Sequence, residues 1–295
     1  MVKEKNRIAF ISVIAAIFLT GFKLIVGLVT GSLGILSEAL HSGLDLVAAV
    51  ITLFAVKVSD KPADKNHHYG HGKVENLSAL IETLLLFITC FWIIYEAMHR
   101  LISGKTEIEV TVWSYIVIVT SIIIDLSRSR ALSRVAKKYN SQALEADALH
   151  FSTDIWSSTV VLLGLICSNF GFFFADSVAA LVVAMIVIYV CYKLGKRSID
   201  MLLDRVSPEI QEKVENQINH VTEITNYHDL KIRSSGADTF VEVCINVKPG
   251  LSIDEAHEIS HHVSDEIKKK VDRVHVHIHT EPETSTDFTN LITNN

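Results

Sequence analysis

Six long apolar runs fill the first two thirds of the chain: roughly Ile8–Thr30, Leu33–Val58, Val74–Ile102, Val110–Ser133, Ala143–Cys167 and Ala175–Leu194. Each reaches the ~20 residues that an α-helix needs to cross the hydrocarbon core of a bilayer. Lipid offers the backbone no hydrogen bonds, so a run of this length and composition predicts a membrane-spanning helix. The opening MVKEKNR carries charge ahead of an apolar stretch, as a signal peptide does. The stretch is longer than the ~7–15 residues of a cleaved signal, so it is read as a retained first helix.

From Ser207 the periodicity changes. Ser207-Pro208-Glu209 has the residues of a helix start, with Ser as N-cap and Pro at the first helical position. A helix to about His220 follows, and Tyr227–Ser234 and Thr239–Val247 alternate like strands around a Ser-Ser-Gly turn. Ser252 or Asp254 opens a helix to about Lys270, and Val274–Thr280 forms a last strand. The expected architecture is therefore a six-helix membrane domain (1–206) and a small soluble αββαβ domain (207–283). A Thr/Asn-rich tail (284–295) is expected to be disordered.

Composition agrees: 49% of the 295 residues are hydrophobic and the mean hydropathy is +0.34, too apolar for an ordinary soluble chain. A net charge of −6 argues against nucleic-acid binding. Four cysteines show no disulfide or CxxC spacing. Lys and Arg concentrate in alternate loops, around residues 3–7, 57–73, 128–138 and 193–205, with little beyond Arg100 and Lys105 between them. The positive-inside rule then puts both termini and the soluble domain in the cytoplasm of a multi-pass inner (plasma) membrane protein.

Fourteen histidines shift attention to metal. Two of them open the pairs His41-x-x-x-Asp45 and His150-x-x-x-Asp154, each on one helix face inside an apolar run. An ionisable side chain there needs a partner, and each pair is the natural partner of the other. Two imidazoles and two carboxylates make a tetrahedral set for Zn2+. Both helices are expected to run outward, so that parallel pairs meet at matched depth. Interhelical hydrogen bonding is the plainer reading, and the repetition of the pair disfavours it. Lys23 is expected to snorkel to the membrane edge. Glu38, Glu82, Asp125, Asp147 and Asp176 are expected to serve structure or line a path, and Gly27, Gly31, Ser32, Gly34, Ser37, Ser42 and Gly43 to permit close packing. In the loop KPADKNHHYGHGKVEN, Asp64, His67 and His71 form a second candidate site, with His68 as a spare. In the last strand His275, His277 and His279 share one face, which Glu281 continues.

Together the paired His/Asp helices, the PADKNHHYGHGKVE segment, the LLDR after the sixth run and the His-rich soluble part resemble the cation diffusion facilitators. The nearest likeness is to the bacterial zinc and iron efflux branch of YiiP type, over about residues 8–283. That resemblance implies a homodimer that exports divalent metal in exchange for protons by alternating access. It implies that His41, Asp45, His150 and Asp154 carry the cargo, that Asp64, His67 and His71 form a loop site, and that the soluble domain is metallochaperone-like. Lys73 would pair with Asp204 at the dimer centre. His228, His257, His279 and Glu281 fall on the family's cytoplasmic zinc positions, with Cys244 where the branch has a histidine. Glu281 replaces the usual aspartate. His41 also departs from the branch, which has aspartate there; two imidazoles favour Zn2+, with Cd2+ and Co2+ tolerated, over Mg2+, Ca2+, Mn2+ and iron. The expected ligand, as cargo and regulator, is Zn2+, and the partners are a second copy, divalent ions, protons and lipid. The rival readings are an intramembrane zinc metalloprotease and a membrane-anchored metal sensor. The first lacks HExxH and an open coordination position; the second has no need of ligands at mid-bilayer.

Overall fold

A computed structural model describes residues 2–31, 33–103, 112–168 and 175–283. Six long helices come first: α1 (Val2–Thr30), α2 (Leu33–Ser59), α3 (Lys73–Ser103), α4 (Val112–Tyr139), α5 (Gln142–Ser168) and α6 (Ala175–Leu202). Four stretches, Lys3–Thr30, Glu38–Ser59, Lys73–His99 and Val112–Tyr139, are long and apolar enough by themselves to cross a membrane. Phe10, Ile14, Phe18, Leu84 and Ile88 point outward, a surface that suits lipid and would aggregate in water. Helix α4 outruns its apolar stretch and carries Arg130, Arg134, Lys137 and Lys138 before the left-handed Asn140 (φ 50°) ends it. Ser32, Lys105 and residues 284–295 lie outside the described residues, as do the surroundings of Gly34 and the side chains of Ser37, Arg100, Cys167 and Asp176.

Polar contacts at one end of the bundle fix its weave. Lys5 pairs with Asp60 at 2.6 Å and Glu75 at 2.9 Å. Glu75 also accepts from Ser59 and Ser141, and Asn76 donates to Gln142 at 2.6 Å. This end therefore gathers the starts of α1, α3 and α5 with the end of α2. Beneath it pack Ala9, Ala55, Val56, Leu132, Leu144 and Phe151. Helices α2 and α5 run in opposite directions, and the expectation that they are parallel is overturned. A chain that crosses a membrane at every helix reverses direction each time, so an even-numbered and an odd-numbered span must oppose each other.

Helices α1 and α2 form a tight hairpin: Thr20 donates to the Ser42 carbonyl at 2.9 Å. A Cβ on Gly27 would stand 3.1 Å from the Leu36 amide nitrogen, so any larger residue would have to push the two helices apart by a few tenths of an ångström. Lys23 does not snorkel. It is 5% exposed and paired with Glu38 across the hairpin at 3.1 Å, because a carboxylate one helix away offsets the charge better than a distant headgroup region.

The compact units of the chain divide between Ile199 and Asp200. The second contains α7 (Pro208–His220), β1 (Ile224–Ser235), β2 (Asp238–Val247), α8 (Ile253–Lys270) and β3 (Val274–Pro282). This is the αββαβ order read from the sequence. Strands β1 and β2 pair antiparallel and β2 and β3 parallel, with α8 as the crossover. Ser207 caps α7, and Ser252 and Glu255 form a capping box on α8. Val214, Ile218, Val241, Ile245, Val263 and Ile267 fill the core between the helices and one sheet face.

Candidate metal centres

His41 and Asp45 come from α2, His150 and Asp154 from α5. Antiparallel packing decides who meets whom: the first residue of each pair faces the last of the other. His150 Nε2 hydrogen-bonds Asp45 Oδ1 at 3.0 Å, and His41 Nε2 lies 3.6 Å from Asp154 Oδ1. Within the helices His41 stands 4.0 Å from Asp45 and His150 3.7 Å from Asp154 Oδ2. Ligands 2.0–2.1 Å from a tetrahedral Zn2+ are separated by about 3.3 Å; the four spacings run from 3.0 to 4.0 Å, so the groups need shift by only a few tenths of an ångström to reach it. His41, Asp45 and Asp154 each offer an atom within 4.8 Å of the others, and His150 joins through Asp45. Asp154 Oδ2 is buried without a hydrogen-bond partner, which in an apolar interior is costly unless something else occupies it. The side chains of Asp45, His150 and Asp154 are 3–14% exposed against 34% for His41, so the cage is least covered on the His41 side.

Polar side chains continue from the cage toward the Lys5–Glu75 end. Asp147, on α5 and fully buried, accepts from Ser12 at 3.3 Å. Ser12 in turn accepts from the Arg128 guanidinium, which pairs with Asp125 at 3.1 Å and lies over the Phe151 ring, 3.5 Å from its centroid. Glu82 of α3 accepts from Thr52 of α2 at 2.5 Å and from Ser78 at 3.0 Å. Sequence reading noticed these carboxyls singly and missed the serines, threonine and arginine that tie them, since hydroxyls in apolar runs usually bond their own helix backbone.

The loop site is brought together. Asp64 Oδ1 accepts from the amides of Asn66 and His67 at 2.8 and 2.7 Å, a turn that swings His67 to 3.1 Å and leaves His71 3.5 Å from Oδ2. Those two amides hold the Asp64 carboxyl down at about 2. The spare, His68, turns away to the Lys65 carbonyl at 3.1 Å.

In the soluble unit the strand register does the assembling. His228 of β1 is opposite Cys244 of β2, which is opposite His279 of β3, so the three form a row on one sheet face. Glu281, two residues on, lies 3.2 Å from His279 and 3.5 Å from His228. His228, Cys244 and Glu281 offer atoms mutually within 4.8 Å. Burial and the Glu281 charge push the Cys244 thiol up. His257 is placed differently: on α8, its Nε2 is 3.1 Å from that of His261. His262 pairs with Glu223 at 3.2 Å and His275 stacks on Phe240, so these two serve local packing.

Residues 9–203 match the cation efflux transmembrane domain and residues 206–283 the cation efflux protein cytoplasmic domain. An uncharacterized transporter of Methanocaldococcus jannaschii is 33% identical over 279 residues, 94% of this chain and 98% of that one. The cation-efflux pump FieF of Shewanella oneidensis is 30% identical over 275 residues, covering 92% of each. The metal-bound C-terminal domain of the CzcD transporter from Thermotoga maritima, a solved structure, is 28% identical; it covers 25% of this chain and 87% of that one, with a TM-score of 0.24.

Proposed function

This chain belongs to the cation efflux family, the cation diffusion facilitators, and is a membrane transporter of metal cations; from that premise we propose that its cargo is Zn2+, exported from the cytoplasm in exchange for protons. The observation that carries the reading is the cluster of His41, Asp45, His150 and Asp154, four ligand groups whose neighbouring atoms lie 3.0–4.0 Å apart inside apolar helices. Two imidazoles and two carboxylates suit Zn2+, and Cd2+ and Co2+ accept the same set; iron and the harder divalent ions are poorer cargo.

Exchange follows from ligand chemistry. Metal binds the deprotonated forms of imidazole and carboxylate, so protons and metal compete for the same atoms. Of the two ligand types, imidazole is the more basic, so it is where protons compete most strongly with the metal. Metal loads from the cytoplasmic side, the bundle rocks, and protons arriving on the other side release it. The loop set of Asp64, His67 and His71 and the sheet row of His228, Cys244, His279 and Glu281 bind further ions; with His257 they report cytoplasmic metal to a homodimer in the inner membrane.

Zinc flux into sealed vesicles with an imposed pH gradient tests this. Flux should follow the gradient in size and sign, and His41→Ala and Asp154→Ala should abolish it in protein that still purifies as a folded dimer. Flux indifferent to the gradient would end the antiport reading, and flux retained in either variant would remove that residue from the site.

A further inference from the structure

The exchange described above makes no use of Glu82, yet its surroundings set it apart from the other described carboxyls in the membrane unit. It is fully buried in the apolar span of α3. Oε1 accepts from Thr52 at 2.5 Å and Ser78 at 3.0 Å, while Oε2 is buried with no partner. Among the described residues no lysine, arginine or histidine lies within ion-pair distance of it. Asp147 is as deeply buried, but Ser12 links it to the Arg128 guanidinium. An ionised carboxylate held in an apolar interior with no cation costs far more than the neutral acid. A neutral carboxyl also suits what is seen, two donors on one oxygen and a free second oxygen to carry the hydrogen.

Placement gives that proton a use. Thr52 lies seven residues beyond Asp45 on α2, about 10 Å along the helix. Ser78 is four residues before Glu82 on α3, and both hydroxyls draw the carboxyl toward the Lys5–Glu75 end. Glu82 thus lies between that end of the bundle and the cage, bonded to the helix that supplies His41 and Asp45. The titratable groups facing it are Asp147 and His150 of α5. From α2 comes only the Thr52 hydroxyl, and α6 packs against this part of α3 with Leu194 and Gly195.

We propose that Glu82 is a proton site coupled to the metal cage: it holds a proton when the cage is empty, gives it to water at the Lys5–Glu75 end when a divalent cation binds, and takes one back when the cation leaves. The O–H bond of the carboxyl breaks, the electron pair stays on the carboxylate and the proton is hydrated. The doubly charged ion about two turns away, in surroundings of low dielectric, supplies the attraction that Glu82 otherwise lacks. The assignment rests on the cage being the transport site and adds a proton carrier that is not itself a ligand.

Protons released per Zn2+ bound are counted with a pH indicator in the full-length protein in detergent, so that no flux is needed. Glu82→Gln keeps the shape and the acceptor oxygen but has no proton to exchange. Near pH 7 it should bind Zn2+ at the cage at least about tenfold more weakly than wild type while releasing about one proton fewer per ion, since a proton given up on binding is itself a contribution to affinity. An unchanged proton count overturns the proposal. If the glutamine variant aggregates, the double variant Thr52→Val/Ser78→Ala keeps the carboxyl and removes its donors. The pH midpoint of zinc binding should then move upward by about one unit, since the carboxylate loses the bonds that favour it; an unmoved midpoint overturns the proposal equally. Wild-type vesicle flux that ignores the gradient sinks the antiport reading, whereas gradient-driven wild-type flux with an unchanged proton count in the glutamine variant sinks only Glu82.

Discussion

Asp45 serves two histidines at once, 3.0 Å from His150 and 4.0 Å from His41. Asp45→Asn preserves volume and one acceptor oxygen but removes the charge that balances a dication. Zinc affinity at the cage should fall by more than about a hundredfold, beyond the ~10–100-fold that loss of an outer-shell partner costs, as read by metal titration of the purified protein. Cys244 gives a pH-dependent counterpart. Its thiol is raised by burial and by Glu281, so the proton stays on to higher pH and an incoming metal must displace it. Zinc affinity of the soluble site should therefore climb as pH rises from 6 to 8.5; Cys244→Ser should weaken binding and flatten that climb. Asp64 behaves oppositely: lowered to about 2, it stays charged throughout this range. Asp64→Asn should therefore weaken metal binding at the loop by a similar factor at every pH tested.

At the scale of elements, the α1–α2 hairpin carries the cage indirectly, because α2 is held by Thr20, Lys23 and the close approach at Gly27. Gly27→Val would drive its side chain into the Leu36 backbone and pry the hairpin apart. A loss of about 1–3 kcal/mol is expected, the usual effect of overpacking, visible as a lower melting temperature in detergent with zinc binding weakened in parallel. In the soluble unit, Ser252 and Glu255 satisfy the first turn of α8 reciprocally. Ser252→Ala should cost about 1 kcal/mol without altering the row of ligands, since none lies on that turn. A zinc titration matching wild type would separate this effect from binding.

For the whole molecule, two compact units meet within the last turn of α6. Transport chemistry belongs to the first and the sheet row to the second, so each should bind metal without the other's ligands. Protein ending after Val206 is expected to retain zinc binding at the cage and to lose dimer stability, measured by light scattering across a dilution series. A truncated protein as dimeric as the full chain would show that the membrane unit alone holds the pair together. Much of this layout was legible beforehand. The six runs, the αββαβ order, the two helix caps and the alternation of β3 follow from hydrophobic period and local capping chemistry, which act over a few residues. Lys23 was misread for the complementary reason: its partner Glu38 lies across a hairpin, and no local pattern announces it.

His-x-x-x-Asp at one helical turn is a property of the sequence, and so is its presence in two spans; those residues alone determined that a polar cage was available. Which imidazole would meet which carboxylate was decided by the antiparallel course of α2 and α5, because reversing a helix exchanges its near and far ligands. The same holds for the row from His228 through Cys244 to His279, which exists only through strand register, and for Glu82, whose burial without a cation depends on three helices closing around it. Periodicity is written along the chain, while proximity between distant side chains arises only when packing selects one arrangement of the elements.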